Sequence, residues 1–144
     1  MKEKVLVSAC LLGIKVRFDG ESKANEELIE KLNNYEFIPV CPEVWGGLPT
    51  PRVPSEIIND KVINKDGIDV TDNYMRGAME TLELARKFNI KKAILKSKSP
   101  SCGKSKIYDG SFTGTLVDGN GITTRLLIEN GIEVLTEDEF LGGL

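Results

Sequence analysis

Residues 4–9 read KVLVSA, a short apolar run that leads directly into Cys10. A continuous apolar run of this length is typical of a strand buried on both faces, as in a parallel sheet. The pattern returns at residues 37–40 (FIPV), which precede Cys41, and at residues 93–95 (AIL), after which a polar loop carries Cys102. Three predicted strands therefore each lead to a cysteine.

Helical patterns and further strands lie around these runs. Asn25 is placed to cap a first helix that ends near Asn33 and Asn34, and apolar residues at helical spacing predict a long helix over residues 71–88. The remaining predicted elements are a hairpin (56–58 and 61–64), a helix (121–130), a last strand (132–135) and a terminal helical turn (137–140). Alternating strands and helices predict an α/β fold, a Rossmann-like three-layer sandwich with a mainly parallel sheet.

Two segments are expected to be irregular. Residues 42–54 (PEVWGGLPTPRVP) are rich in Pro and Gly, and residues 108–115 (YDGSFTGT) are rich in Gly, Ser and Thr. Both compositions predict loops, and long loops are often kept for function. Because 144 residues is an ordinary size for one domain and no linker is visible, residues 1–144 are expected to form a single domain.

The amino-acid composition limits the kinds of partner and of catalytic group that this chain can use. The net charge of −3 gives no general attraction for nucleic acid, and no apolar run has the roughly 18 residues that a membrane helix needs. A cytoplasmic location without membrane association is expected, where the three cysteines would remain thiols. The chain has no histidine, which removes the commonest general base and zinc ligand.

The three cysteines are the strongest chemical signal. Because ligand sites lie at the carboxyl ends of parallel strands, Cys10, Cys41 and Cys102 are expected to converge at one edge of the sheet. Three thiolates suit either a zinc ion with an open position or a cubane iron–sulfur cluster in which one iron lacks a protein ligand. The alternative is that each cysteine is a small buried apolar residue. Their loop surroundings favour the metal centre, but spacing does not choose between zinc and iron.

Polar residues next to the cysteines are candidates for catalysis. Glu43 lies two residues after Cys41 and is a candidate general acid or base, although most glutamates are solvated. Ser99 and Ser101 flank Cys102 and offer hydroxyls for hydrogen bonding or proton relay, with a simple Ser-Pro turn as the alternative. Four basic residues could bind a carbonyl oxygen or a phosphate of a ligand: Arg17, Arg52, Lys96 and Lys98. The alternative is that each of them is simply exposed to solvent. Trp45 could stack on a flat base or pack locally.

Several motifs together resemble one bacterial family. They are SACLLG, RFDG, CPEVWGGLPTPR, SPSCG, IYDGSFTG and GNGIT, which occur in this order from residue 8 to residue 123. The chain resembles the TudS-like thiouracil desulfidases, formerly a bacterial domain of unknown function, over nearly its whole length.

The resemblance implies a cofactor and a reaction. Cys10, Cys41 and Cys102 would bind a 4Fe–4S cluster whose fourth iron takes the sulfur of a thiolated nucleobase. Glu43, with Ser99 or Ser101, would assist the non-redox hydrolysis of 2-thiouracil to uracil and sulfide. The leading expected partner is therefore a small thiolated pyrimidine.

Other functions remain open at this stage. Thiolated nucleosides or tRNA are alternative substrates, and the acidic net charge makes tRNA the less favoured of these. The alternatives to this enzyme are a zinc or iron–sulfur binding module without catalysis, an enzyme with a cysteine nucleophile, and a cluster-based sulfur carrier. The sequence indicates no oligomeric state.

Overall fold

The computed structural model describes residues 2–142 and contains strands and helices in alternation. In chain order the strands are β1 (Glu3–Ser8), β2 (Tyr35–Val40), β3 (Ser55–Ile58), β4 (Lys61–Asn64), β5 (Lys92–Leu95), β6 (Lys106–Tyr108), β7 (Leu116–Asp118) and β8 (Glu133–Thr136). The helices are α1 (Glu26–Lys31), α2 (Pro42–Trp45), α3 (Thr71–Lys87), α4 (Ile122–Glu129) and α5 (Glu137–Phe140).

Four strands form the central sheet. Their order is β2-β1-β5-β8, and every neighbouring pair is parallel. The apolar run predicted as the first strand forms β1, whose residues Val5, Leu6 and Val7 are fully buried. The predicted parallel sheet is confirmed.

Helices cover both faces of this sheet. Leu6 belongs to one apolar core together with Leu82 of α3 and Leu127 of α4. Val5 and Val7, which point to the opposite face, belong to a second core that includes Leu28 of α1 and Phe140 of α5. The molecule therefore has three layers, as the Rossmann-like prediction required.

Local signals explain where two helices begin. The Asn25 side chain accepts a hydrogen bond from the backbone N–H of Leu28, which confirms the predicted cap of α1. The terminal helix α5 begins with a capping box, in which Thr136 and Glu139 each satisfy a backbone N–H of the other.

The prediction that residues 42–54 lack regular structure is wrong for Pro42–Trp45, which form α2. Pro42 occupies the first helical position, where its missing N–H costs nothing, so a Pro that favours a loop by composition here begins a helix. With only four residues, α2 is too short to show a helical pattern of apolar residues in the sequence.

The prediction of a loop over residues 108–115 is wrong at its first residue. Tyr108 is the last residue of β6, which pairs with β7 in an antiparallel hairpin. Each strand has only three residues, too few for alternation to be visible in the sequence.

Within residues 2–142, no helix is long and apolar enough to cross a membrane.

Candidate functional site

A cavity of about 580 Å³ lies at the carboxyl ends of β1, β2 and β5. Its walls include residues that directly follow these strands, and all three cysteines line it. The predicted convergence of Cys10, Cys41 and Cys102 at one edge of the sheet is therefore observed. A volume of this size is within the range of small-molecule sites.

Each cysteine is held by a different local structure. Cys10 lies in a single 3-10 turn (Ala9–Leu12) after β1, and Cys41 directly precedes the first residue of α2. Cys102 lies in a turn after β5, where its backbone N–H donates to the Ser99 hydroxyl at 2.7 Å. All three are free thiols, so the site contains three potential sulfur ligands on three separate segments.

The number and placement of these thiols bear on the kind of metal centre they could hold. No group of three or more His, Cys, Asp or Glu side chains within residues 2–142 is arranged to hold a single metal ion. Three sulfurs bound to one zinc ion, at about 2.3 Å each, would have to lie close together. Three thiols that line one cavity match the three protein ligands of a cubane cluster in which one iron has none.

Burial controls the ionisation of the three thiols. It raises the pKa of the Cys10 thiol to about 11, although the ammonium of Lys96 acts in the opposite direction. Burial also raises the pKa of Cys41 and that of Cys102, and the Glu43 carboxylate raises the latter further. The thiols are therefore neutral at pH 7, and a metal group must displace their protons to bind.

Glu43 lies in the first turn of α2 and faces the same cavity. Its Oε2 accepts hydrogen bonds from Nε and Nη2 of Arg52, at 2.9 and 2.6 Å. The two side chains are only 13% and 6% exposed, so this is a largely buried ion pair. Arg52 also donates to the backbone carbonyl of Val16, in the segment after Cys10. One guanidinium thus fixes Glu43 and joins two of the cysteine-bearing segments.

Tyr74 of α3 is a further neighbour of Glu43 in the cavity wall. Burial raises the pKa of the Tyr74 phenol well above its usual value, and the neighbouring Glu43 carboxylate raises it further. The hydroxyl lies beside both Glu43 and Ser55. Tyr74 is therefore a neutral donor next to the candidate acid or base. Its position on the apolar face of α3 indicates only a core role in the sequence.

The two candidate serines have different surroundings. Ser99 lines the cavity and accepts the hydrogen bond from the Cys102 backbone. Ser101 is 1% exposed, does not line the cavity, and exchanges a 2.9 Å hydrogen bond with Thr123 at the start of α4. The Cys102 thiol donates weakly to the Ser101 hydroxyl at 3.8 Å. Ser99 therefore faces the cavity directly, whereas Ser101 contacts the Cys102 thiol from outside the cavity wall.

The cavity wall is cationic although the chain is acidic. Two acidic residues, Glu43 and Glu56, line it together with six basic ones: Arg17, Lys23, Arg52, Lys65, Lys96 and Lys98. The Lys96 ammonium is 3.1 Å from the buried Glu137 carboxylate, which also accepts from the Ser97 backbone. The four basic residues named from the sequence all face the site, whereas Trp45 does not line it.

Fold and site together define an α/β protein with a three-cysteine centre in a cavity at the edge of a parallel sheet. Residues 5–139 match the family described as 2-thiouracil desulfurase, and the chain belongs to that family. It is thus a thiouracil desulfidase-like enzyme, and the resemblance noted in the sequence is confirmed.

Two known proteins are similar over nearly the whole chain. An uncharacterized protein of Bacillus subtilis, YbbK, is 40% identical over 145 residues, which cover 94% of this chain and 96% of YbbK. The solved structure of a [4Fe-4S]-dependent thiouracil desulfidase, TudS, is 44% identical with a TM-score of 0.90, covering 98% of this chain and 95% of that one.

Proposed function

We propose that this enzyme removes sulfur from a thiolated pyrimidine by hydrolysis, with a [4Fe–4S] cluster held by Cys10, Cys41 and Cys102. The observation that carries the proposal is the placement of three free thiols and Glu43 around one cavity. The similarity to TudS, a [4Fe-4S]-dependent thiouracil desulfidase, supports the same cofactor here.

The donor set fits this cofactor. The chain has three cysteines and no histidine, so three irons of a cubane would have protein ligands and the fourth would have none. When bound, the cluster supplies a Lewis-acidic iron that accepts the sulfur of the substrate. The overall reaction is C=S plus water giving C=O plus hydrogen sulfide, which needs no external electrons.

Glu43 is the group we assign to the proton transfers. Its carboxylate takes a proton from water as the water oxygen bonds to the substrate carbon, and returns a proton to the departing sulfide. Arg52 holds that carboxylate in one orientation through two hydrogen bonds. The neutral Tyr74 hydroxyl beside it can donate to the same carboxylate or to the attacking water.

Ser99 and Ser101 receive different roles in this proposal. Ser99, in the cavity wall, binds a polar edge of the pyrimidine. Ser101, buried between Thr123 and the Cys102 thiol, orients that sulfur toward the cluster. Substitution of Ser99 should therefore raise KM, and substitution of Ser101 should weaken cluster retention.

The cationic cavity wall supports a second candidate substrate, a thiolated nucleoside that carries phosphate. Among the described residues, three of the six basic side chains are in ion pairs, and the other three, Lys23, Lys65 and Lys98, still exceed what a neutral base such as 2-thiouracil needs. Some of the six also offset the negative charge of a thiolate-bound cluster. A thiolated tRNA would place the same chemistry on a polyanion, for which the net charge of −3 provides no general attraction.

The decisive experiment is anaerobic reconstitution with iron and sulfide, followed by addition of substrate. We expect about four irons per chain, a broad visible absorbance band, and formation of uracil and sulfide from 2-thiouracil. Parallel assays with 2-thiouridine and its 5′-monophosphate rank the substrates. Cys41→Ala, which removes one ligand, is the matched control and should lose both cluster and turnover.

Each rival function gives a different result in that experiment. A zinc site stays colourless, and a sulfur carrier releases no uracil. An enzyme with a cysteine nucleophile is active without added iron and sulfide, and stays active when a chelator is added. A reconstituted cluster with no product from any of the three substrates would contradict the proposed reaction.

The proposed setting is a reducing compartment such as the cytoplasm, where three ligand thiols remain reduced. We also propose that residues 1–144 act as one domain, since the cavity is built from segments that extend from Ser8 to Gly114.

A further inference from the structure

A loop between β6 and β7, residues 109–115, covers one side of the cavity and is called the cavity loop here. Phe112 and Gly114 of this loop line the cavity. The backbone N–H of Asp109 donates to the carbonyl of Thr115 at 2.9 Å and closes the loop at its base. The segment is thus a defined part of the wall.

The cavity loop is anchored by a buried carboxylate from another element. Glu56 of β3 is 8% exposed, and its Oε1 accepts hydrogen bonds from the backbone N–H groups of Gly110 and Phe112, at 2.9 and 3.1 Å. At Gly110, a Cβ would lie 2.5 Å from Cγ1 of Ile58, so only glycine fits there. These contacts fix the position of Phe112.

Phe112 has an unusual backbone conformation. Its φ of 58° lies in the left-handed region, which costs free energy for any residue with a Cβ and is rare for an aromatic one. Asn, Asp or Gly would adopt this conformation more easily. Strain of this kind persists only where the surroundings impose it, and it is concentrated at functional sites.

The Phe112 ring is also unexplained by the folding of the protein. The described residues form three apolar cores, and Phe112 belongs to none of these three and packs against none of them. It is half-buried and faces the cavity instead. A strained aromatic side chain that serves no core is best explained by a ligand.

We propose that Phe112 is the stacking platform for the flat ring of the substrate, and that Glu56 is the positioning residue that presents it. This inference rests on the proposed function and deepens it. An aromatic face contacts the π surface of a planar ring regardless of its exocyclic atoms. Phe112 therefore selects pyrimidines by shape, while the thiocarbonyl is distinguished elsewhere in the cavity.

The test compares ring-deleting and ring-keeping variants of the reconstituted enzyme. Phe112→Asn removes the ring but suits a positive φ, and Phe112→Tyr keeps the ring. For Phe112→Asn we expect a KM for 2-thiouracil raised by about 5- to 150-fold, the range for loss of one base–aromatic stack, with kcat within about threefold. Phe112→Tyr should restore the KM. Val117→Asn, on the same hairpin but outside the cavity wall, is the control.

Two further readouts separate stacking from a structural role. Phe112→Asn should retain its iron content and unfold at the same temperature or higher, because it relieves the strained φ. Glu56→Ala should raise KM with Phe112 still present, since the cavity loop loses its anchor. An unchanged KM in Phe112→Asn, or a loss of cluster and stability in that variant, would overturn the proposal.

Uracil binding distinguishes this inference from the proposed function. Binding is followed by NMR titration of the ring protons of uracil with the reconstituted protein, without turnover. If wild type binds uracil and Phe112→Asn does not, stacking stands even where no desulfidation is found. If turnover proceeds and uracil binds equally to both proteins, the stack is wrong and the desulfidase function stands.

Discussion

At the scale of single residues, the pair of Glu43 and Arg52 is the feature on which the proposed chemistry depends most. A carboxylate in a cavity is useful for proton transfer only if its orientation is fixed, and Arg52 provides this with two hydrogen bonds. The same arginine reaches Val16, so its role extends to the segments that carry Cys10 and Cys41. Function and stability are therefore coupled at this pair.

Glu43→Gln tests the proton transfers. The amide keeps the size of the side chain but cannot carry a proton, so kcat should fall by about 10²- to 10⁴-fold while the iron content is unchanged. Stopped assays of uracil with parallel iron determination measure both. Full activity in this variant would remove the role assigned to Glu43.

Arg52→Ala tests the ion pair as a structural element. Removing one partner leaves the largely buried Glu43 without its counter-ion, which typically costs about 3–5 kcal/mol of unfolding free energy. Urea denaturation of the cluster-free protein measures this. The matched control is Lys106→Ala, whose pair with Asp118 is exposed to solvent and should contribute little to stability. Equal effects of the two substitutions would show that burial of the Arg52 pair is unimportant.

At the scale of elements, the close approach of α2 and α3 positions both Cys41 and Glu43. A Cβ at Gly77 of α3 would lie 1.8 Å from the carbonyl oxygen of Pro42, and one at Gly46 would lie 2.0 Å from that of Asn73. These two glycines therefore allow the backbone around α2 to lie in direct contact with the backbone of α3. The short helix α2 is too small to be stable alone, so this packing holds it in place.

Gly77→Ala is expected to destabilise the protein, whereas a change from glycine to alanine within a helix usually stabilises it. Glycine to alanine within a helix normally stabilises by about 0.5–1 kcal/mol, but here the new methyl group must push α2 away from α3. We expect a loss of about 1–3 kcal/mol, as for other overpacked sites, together with reduced cluster retention because Cys41 moves with α2. Thermal unfolding and iron content measure the two effects.

Met79→Ala, at an exposed position of the same helix, is the control for Gly77→Ala. It should change stability by no more than about 0.5 kcal/mol. If Gly77→Ala proves more stable than wild type, the contact between the two helices is not as tight as described.

At the scale of the whole molecule, folding is coupled to the ionisation of the buried thiols. Burial raises the pKa of Cys10 from the ordinary value of 9.0 to about 11, so the folded protein without its cluster holds this proton where the unfolded chain releases it. The raised pKa therefore contributes stability that is fully present below pH 9 and lost as the pH rises toward 11.

The prediction is a fall in the unfolding temperature of the cluster-free protein between pH 9 and 11. Cys10→Ala lacks this thiol, so the decrease with pH should be shallower in that variant than in wild type. Differential scanning calorimetry over this range measures both proteins. Parallel curves would show that Cys10 ionises equally in the folded and unfolded states. With the cluster bound, the proton is already displaced and the dependence should disappear.

The sequence alone determined the architecture and the location of the cysteines. Apolar runs such as Val5–Val7, the Asn25 cap and the apolar face of α3 are local patterns, and local patterns specify strands and helices. Because parallel strands bring their carboxyl ends to one edge, the convergence of the three cysteines followed from order along the chain. The two very short elements, α2 and the β6–β7 hairpin, could not be predicted, because three or four residues are too few to show a periodic pattern of apolar side chains.

Only the tertiary structure decided how the site is built around those cysteines. It paired Glu43 with Arg52, placed Tyr74 beside them, separated the half-buried Ser99 in the cavity wall from the buried Ser101, and anchored Phe112 to Glu56. The physical reason is that each of these relations depends on the direction of a side chain and on a partner from another segment. Local periodicity encodes neither the direction of a side chain nor its partner, and both are set only when the sheet and helices pack together.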